Sequence, residues 1–161
     1  MRQLVENVLE ELHDAIKEKQ LAFSLPLSPE AEEARPELDA ARFRDVILNL
    51  VDNAVRYTPK GGSFSIEGSI AVHSIEKTRS FVLAFTDSGI GMTEDELAHA
   101  FVQSFERGVR AKEMNATGRG LGLMLARQIV EAHGGRIRAE SGGRDRGTRF
   151  TVEVPMGNFD K

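Results

Sequence analysis

Residues 43–58 read FRDVILNLVDNAVRYT, and the rest of the chain is organised around this stretch. Its apolar residues recur at the spacing i, i+3, i+4, i+7 and i+8, which predicts an amphipathic helix with one buried stripe. Asn49 and Asn53 are four residues apart and share one side of that helix, with Arg56 beside them at the edge of the stripe. Two amides and a guanidinium there indicate a site for a metal ion and an anion. A surface helix with three ordinary polar residues is the alternative that this stretch leaves open.

The composition predicts one globular domain spanning residues 1–161. Hydrophobic residues make up 40% and charged residues 29% of the chain, a balance typical of folded rather than disordered proteins. The net charge of −4 weighs against nucleic acid as a partner, and the lack of cysteine excludes disulfides and thiolate metal sites. We find no signal peptide and no apolar run that could cross a bilayer. We therefore expect a cytoplasmic domain without direct membrane contact, whose parent protein could be anchored in the inner membrane.

The first half of the chain predicts two helices and three strands. Residues 1–19 have helical periodicity, and the alternation in 21–27 predicts a short strand. The acidic stretch before the main helix is interpreted as a connection, with Asp39 as the N-cap of that helix. A strand interrupted near Gly68 and a hairpin turn at residues 76–79 are expected next. They lead to a strand that is apolar on both faces and therefore central.

The second half predicts a short helix, a loop, a longer helix and two strands. Thr93 and Glu96 form a capping box, and residues 106–118 are interpreted as a mobile functional loop. The following helix should end at His133 before two glycines. Its predicted buried residues are Leu121, Met124, Leu125 and Ile129. With strands at 136–141 and 148–155, we expect an α+β fold, a two-layer α/β sandwich. About three long helices should pack on one face of a mixed, largely antiparallel five-stranded sheet.

Two glycine-containing motifs add chemistry to the asparagine helix. Asp87-Ser-Gly89-Ile-Gly91 ends the predicted central strand, where a carboxylate can accept a hydrogen bond from an exocyclic amine and glycines let a flat ring approach the backbone. A tight turn is an equally good interpretation of this motif by itself. The triplet Gly118, Gly120 and Gly122 opens a helix, where exposed backbone N–H groups favour an anion. A flexible hinge is the alternative for that triplet.

The order and spacing of these motifs resemble the catalytic ATP-binding domain of sensor histidine kinases. This family shares a Bergerat-type ATP-binding fold with DNA gyrase, the ninety-kilodalton heat-shock chaperones and mismatch-repair ATPases. The matching segments are Asn49-Leu-x-x-Asn53-Ala-x-Arg56-Tyr57-Thr58, Asp87-Ser-Gly89-Ile-Gly91-Met, Phe101-Val-Gln-Ser-Phe105-Glu-Arg107, Gly118-Arg-Gly120-Leu-Gly122-Leu and Gly147-Thr148-x-Phe150. They cover essentially the whole chain.

The resemblance implies that the domain binds ATP and Mg²⁺. Asn53 is expected to donate an oxygen to Mg²⁺, and Asn49 to help place the metal and the phosphates. Asp87 should accept from the adenine amino group, with Thr148 in support, and Arg56 should lie near the phosphates. The remaining residues expected to contact the nucleotide are Tyr57, Gly89, Gly91, Phe105, Arg107, Gly118, Gly120, Leu121 and Gly122. For Phe101 and Phe105, a role as core anchors is slightly favoured over contact with the nucleotide. For Arg107, contact with the γ-phosphate and exposure to solvent are equally good interpretations.

Asn49 also bears on the type of reaction. Hydrolytic relatives carry a glutamate at this position that activates water, and an amide cannot act as that base. The resemblance therefore implies transfer of the γ-phosphoryl group to a histidine on a separate dimerisation domain, with a response regulator downstream. None of the four histidines lies in the acceptor motif of the family, so we expect the dimerisation domain to be absent and the chain not to label itself. The alternatives are an anti-sigma-factor-type protein serine kinase and a non-catalytic nucleotide-sensing module.

Overall fold

The computed structural model describes residues 1–73, 78–102 and 121–158. Within these ranges the chain forms six helices and five strands. The helices are α1 (Arg2–Glu11), α2 (His13–Glu18), α3 (Pro29–Glu33), α4 (Ala40–Tyr57), α5 (Glu94–His99) and α6 (Gly122–Ala132). The strands are β1 (Ala22–Ser24), β2 (Ser63–His73), β3 (Thr78–Asp87), β4 (Arg136–Glu140) and β5 (Thr148–Asn158). Across these ranges, no helix is both long and apolar enough to cross a membrane.

The described strands form one mixed sheet in the order β1-β2-β3-β5-β4. β1 runs parallel to β2, and the other neighbouring pairs are antiparallel. The predicted central strand, β3, does lie in the middle of the sheet. Its last residue, Asp87, pairs with Phe64 on one side and with Thr148 on the other. The register therefore brings Asp87 and Thr148 together at one end of the sheet.

Helix α4 forms the centre of the helical layer. Asp39 is its N-cap, as predicted, and its carboxylate accepts a hydrogen bond of 3.1 Å from the Arg42 N–H. The predicted apolar stripe is buried, and α4 packs against α1, α6 and β3. The sheet contributes a row of buried residues to the same core: Phe81, Leu83, Phe85, Phe150, Val152 and Val154. Burial of each such side chain stabilises the fold by roughly 1.5–3 kcal/mol. Helix α4 is therefore firmly held, and the polar residues at the edge of its apolar stripe are held with it.

Two expectations for the first half of the chain were wrong. The acidic connection contains a helix, α3, because Ser28 caps it by accepting from the Ala31 N–H and Pro29 follows as its first residue. Strand β2 is continuous through Gly68. A Cβ at this glycine would lie 2.5 Å from a methyl group of Leu27, so Gly68 makes room for that side chain and does not interrupt the strand.

The second half also differs from expectation at one helix face. Helix α6 buries Ile129, as predicted, together with Leu123, Ala126 and Val130. Of the other residues predicted to be buried, Met124 is half-buried, and Leu121 and Leu125 are 45% and 42% exposed. The predicted set and the observed set both fit a 3.6-residue period, and contact with α4 and the sheet selects between them.

Two further expectations concern other parts of the chain. The helix predicted for residues 1–19 is divided at Leu12 into α1 and α2. Of the hairpin turn, Arg79 lies in β3 and residues 76–77 fall outside the described ranges, as does the loop at 106–118.

Candidate functional site

A cleft opens between the C-terminal half of α4 and the end of the sheet that carries Asp87. Helix α4 contributes Asn53 and Tyr57 to it, and the neighbouring strands β3 and β5 contribute Asp87 and Thr148. These four residues come from three sequence segments. The structure thus places one amide, one phenol, one carboxylate and one hydroxyl around a single concave surface, an arrangement typical of small-molecule sites.

Asp87 lines the cleft and is held by two backbone groups. Its Oδ1 accepts hydrogen bonds from the N–H of Gly89 at 2.8 Å and from the N–H of Thr148 at 3.3 Å. Burial raises the pKa of Asp87 to about 6 from an ordinary value of 3.8, although the two backbone hydrogen bonds act in the opposite direction. Within the described part of the chain both bonds use Oδ1, so they leave the second carboxylate oxygen able to accept from a ligand amine.

The segment after Asp87 is a tight turn that packs against α4 and the loop between β4 and β5. The N–H of Ile90 donates to the carbonyl of Tyr57 at 3.1 Å, which ties the turn to the end of α4. Gly91 has φ +65°, and a Cβ there would lie 2.0 Å from the carbonyl oxygen of Gly143. A side chain at Gly91 would therefore force the loop away, and the glycine is required by close packing as well as by its backbone conformation.

Lys19 fixes the C-terminal end of α4. Its ammonium group donates to the carbonyl oxygens of Val55, Arg56 and Thr58 at 2.7, 2.8 and 3.0 Å. These carbonyls belong to the end of the helix, where a cation is favourable. Burial lowers the pKa of Lys19. Lys19 thereby sets the position of the last turn of α4, which carries Tyr57 into the cleft.

The other two predicted site residues of α4, Arg56 and Asn49, contact neighbouring groups of the protein. Arg56 forms an ion pair with Asp52, with 2.6 Å between Nε and Oδ2. Asn49 does not line the cleft; its Nδ2 donates to the carbonyl of Asp45 at 2.8 Å, and its Oδ1 lies against Gly122 at the start of α6. A Cβ at Gly122 would be 2.5 Å from that oxygen. Asn49 therefore joins α4 to the beginning of the glycine-rich helix.

Some of the predicted site residues lie outside the described ranges. These are Phe105, Arg107, Gly118 and Gly120. Leu121 is described and exposed, at the N-cap of α6. Phe101 packs edge-on against buried Phe150 with 6.2 Å between ring centroids, which favours its interpretation as a core anchor.

Sequence reasoning missed several residues that line the cleft. They are Ile90, Met92, Glu96, Arg144 and Phe150. The first two follow Asp87 within five positions and could have been expected on the wall of the same site. Glu96 was predicted as part of the capping box, which the structure contains, but not as a cleft residue. Arg144 carried no sequence signal, because its loop reads as an ordinary glycine-rich turn.

Fold and cleft together define an α/β sandwich domain with a ligand site between a polar helix edge and a strand-end carboxylate. Residues 38–158 match the family model described as histidine kinase-, DNA gyrase B- and HSP90-like ATPase. The chain belongs to this family.

Sensor kinases are among its relatives. It is 36% identical over 118 residues to the sensor protein KdpD of Clostridium acetobutylicum, a match spanning 73% of this chain and 12% of KdpD. It is 34% identical over 153 residues to the adaptive-response sensory kinase SasA of Synechococcus sp. strain JA-3-3Ab, spanning 94% of this chain and 38% of SasA. The chain thus corresponds to less than half the length of either relative.

Solved structures agree with the fold. The nucleotide-free catalytic domain of the histidine kinase ThkA superposes with a TM-score of 0.78 at 26% identity, covering 97% of this chain and 92% of that one. The mycobacterial sensor histidine kinase MprB superposes with a TM-score of 0.76 at 23% identity, covering 99% of this chain and 96% of that one. The expected α+β sandwich and the resemblance to histidine-kinase catalytic domains are both confirmed.

Proposed function

We propose that this domain binds Mg–ATP in the cleft and supplies its γ-phosphoryl group to a histidine on a separate helical dimerisation domain. The observation that carries the proposal is that Asn53 and Asp87, 34 positions apart in the sequence, line one cleft. The carboxylate of Asp87 suits the base of a nucleotide, and the amide oxygen of Asn53 suits its metal–phosphate part.

The donor set fits a magnesium ion carried by the nucleotide. Mg²⁺ commonly takes one or two protein oxygens and fills its other positions with phosphate oxygens and water. Asn53 offers one neutral oxygen, and among the described residues no group of three acidic or histidine side chains is arranged to hold a metal by itself. When bound, the ion would neutralise charge on the phosphates. The chain's own contribution is to bind and orient the nucleotide, which is the main requirement of phosphoryl transfer.

The geometry at Asn49 favours transfer to a protein over hydrolysis. Its amide is engaged by the Asp45 carbonyl and lies against Gly122, and an amide has no basic site with which to deprotonate water. A self-activating nucleophile such as histidine does not need such a base. This supports a phosphotransferase rather than a self-sufficient ATPase. We propose that the acceptor lies in another domain or chain.

The contacts of the described histidines are consistent with an external acceptor. His133 accepts from the Asp39 N–H at 3.1 Å, and its other ring nitrogen donates to the Ile129 carbonyl at 2.7 Å. His73 contacts Glu153 at 2.7 Å, and His99 donates to the carbonyl of Asp95 at 2.8 Å. His13, exposed at the start of α2, is the remaining candidate within this chain.

An acceptor experiment tests the proposal. The domain is incubated with γ-labelled Mg–ATP, with and without a purified helical dimerisation domain of a sensor kinase. We expect an acid-labile, base-stable label on the added domain and none on this chain. The variant Asn53→Ala should lower the rate of labelling, with Asn7→Ala, a change on the exposed side of α1, as the matched control. Stoichiometric label on His13 would contradict the proposed external acceptor, and an acid-stable phosphoserine would favour a serine kinase.

The downstream partner is proposed by the same reasoning. Sensor kinases pass their phosphoryl group to a response regulator, and the relatives KdpD and SasA are a sensor protein and a sensory kinase. We propose a response regulator as the recipient after the dimerisation domain. Transfer of label from the phosphorylated acceptor to a purified regulator would test this step separately.

A further inference from the structure

The cleft is also lined by a charged pair that none of the nucleotide motifs contains. Arg144, from the loop between β4 and β5, donates to Glu96 of α5 with 2.6 Å between Nη2 and Oε1. Both residues line the cleft. The Glu96 side chain is 12% exposed and that of Arg144 33%, so the pair is partly withdrawn from water but still faces the open space.

Glu96 is held rigidly and therefore orients the guanidinium. Its Oε2 accepts from the Thr93 N–H at 2.8 Å, while the Glu96 N–H donates to the Thr93 hydroxyl at 3.2 Å. One carboxylate oxygen thus completes the capping box, and the other binds Arg144. A nearly buried carboxylate with both oxygens engaged leaves its arginine partner little freedom to turn away.

The loop that carries Arg144 is equally fixed. The Asp145 N–H donates to the Ile90 carbonyl at 2.9 Å, and the Gly147 N–H to the Gly89 carbonyl at 3.1 Å. The Ser141 hydroxyl accepts from the Met92 N–H at 3.0 Å and donates to the Gly147 carbonyl at 2.6 Å. The loop lies directly on the turn that follows Asp87.

This position assigns Arg144 to the base end of the cleft. Its loop continues into Thr148, whose N–H bonds the Asp87 carboxylate. The start of α6, where the glycine-rich motif would meet phosphates, instead lies against Asn49. The walls near Arg144 include the apolar side chains of Met92 and Phe150, a surrounding that suits a flat purine more than a phosphate.

We propose that Arg144, positioned by Glu96, contacts the purine base of the bound nucleotide and strengthens its binding, an inference that rests on the proposed nucleotide function. A guanidinium is planar, carries five N–H donors and stacks well on aromatic rings. Among the contacts of the described residues, Glu96 engages one of its nitrogens, and the other N–H groups and the flat face suit the base. Arg144 is then a base-binding residue, and Glu96 acts through it as a positioning residue.

Calorimetric titration of the intact chain with Mg–ATP, adenosine and inorganic triphosphate tests this assignment. Arg144→Ala should weaken binding of ATP and adenosine by the same factor, about 3- to 30-fold for a lost stacking or cation–π contact, and leave triphosphate binding unchanged. Arg144→Lys keeps a charge for Glu96 but lacks the planar fork, so it should lose much of the adenosine affinity while melting at the wild-type temperature. Arg127→Ala, which removes the exposed Arg127–Glu131 pair of α6, should alter none of the three affinities.

Glu96 is tested through a double-mutant cycle. Glu96→Gln should weaken adenosine binding in the wild-type background and have no further effect when Arg144 is already alanine, since it acts by orienting that side chain. An additive effect would show that Glu96 acts independently and would overturn its positioning role.

The failures of the two proposals can be told apart. If the wild-type chain binds none of the three probes, the proposed nucleotide function fails. The base contact fails, while the nucleotide function stands, if the wild-type chain binds ATP and Arg144→Ala keeps full adenosine affinity. The same conclusion follows if Arg144→Ala weakens the binding of ATP and of triphosphate by the same factor.

Discussion

The variant Asp87→Asn separates two effects of the buried carboxylate, its effect on the stability of the fold and its effect on ATP binding. Burial raises the pKa of Asp87 from 3.8 to about 6. One pKa unit corresponds to about 1.4 kcal/mol, so the ionised carboxylate destabilises the ligand-free fold by about 3 kcal/mol at neutral pH. An asparagine keeps the Oδ1 acceptor for the N–H groups of Gly89 and Thr148 but carries no charge. We therefore expect the variant to be more stable than the wild type at neutral pH.

The sign and the pH window follow from the direction of the shift. The folded chain binds the Asp87 proton more tightly than the unfolded chain does, because its pKa is raised. This contribution to stability is complete below about pH 4 and is lost as the pH rises through about 6. Between pH 4.5 and pH 7.5, the free energy of unfolding of Asp87→Asn should therefore gain about 2 kcal/mol over that of the wild type.

Urea unfolding followed by circular dichroism at those two pH values measures the difference. Asp95→Asn controls for the loss of one negative charge, because the Asp95 side chain is 92% exposed. An equal difference between Asp87→Asn and the wild type at both pH values would refute the argument that burial of this carboxylate costs stability.

The affinity of Asp87→Asn for ATP should fall, whereas its stability at neutral pH should rise. The open oxygen of Asp87 is proposed to accept from the adenine amine, and an asparagine can present its NH₂ group there instead. The resulting mismatch of two donors should weaken ATP binding by roughly 10- to 100-fold at pH 7.5, in line with about 1.5–3 kcal/mol for a hydrogen bond to a charged group. Wild-type affinity should fall as the pH drops through about 6. Calorimetry that finds ATP affinity unchanged in the variant would remove Asp87 from the adenine site.

Two further variants test the supports of the cleft. Lys19→Met should lower the free energy of unfolding by about 1–3 kcal/mol in urea titrations, because three carbonyls at the end of α4 lose a charged donor. The control Lys17→Met, at an exposed position, should have little effect. Equal losses in the two variants would argue against the stabilisation of the end of α4 by Lys19. Gly147→Ala should lose about 3 kcal/mol or more in thermal or urea unfolding, since its Cβ would lie 1.9 Å from the Asp87 carbonyl oxygen at φ +67°. The matched control is Gly61→Ala, with φ +82° and no atom within 4 Å, for which backbone strain alone predicts about 1 kcal/mol; similar losses in both variants would mean that the contact with Asp87 contributes nothing.

The parts of the fold that were predicted correctly depend on local patterns. The stripe of α4, its cap at Asp39 and the capping box at Thr93 each involve residues within a few positions of one another. Such patterns constrain the backbone and its burial directly, so they can be found without knowledge of the fold.

The errors occurred where several arrangements fit the same pattern. Two sets of α6 residues have helical periodicity, and packing against α4 buries the set that includes Leu123 and leaves Leu125 exposed. Gly68 fits both an interrupted strand and a strand against which another side chain packs; the bulk of Leu27 decides for the latter. These choices depend on residues far away in the sequence.

The order of motifs around residues 43–58 was visible in the chain alone, and the family resemblance that it carries implied that Asn53, Tyr57, Asp87 and Thr148 belong to one site. The tertiary structure decided how these groups are held. Lys19 fixes the end of α4, and the loop containing Arg144 packs on the turn after Asp87. The physical reason is that motif spacing reflects local backbone geometry, whereas the hydrogen bonds and close contacts that complete the cleft join segments separated by tens of residues, and these exist after the sheet and helices have packed.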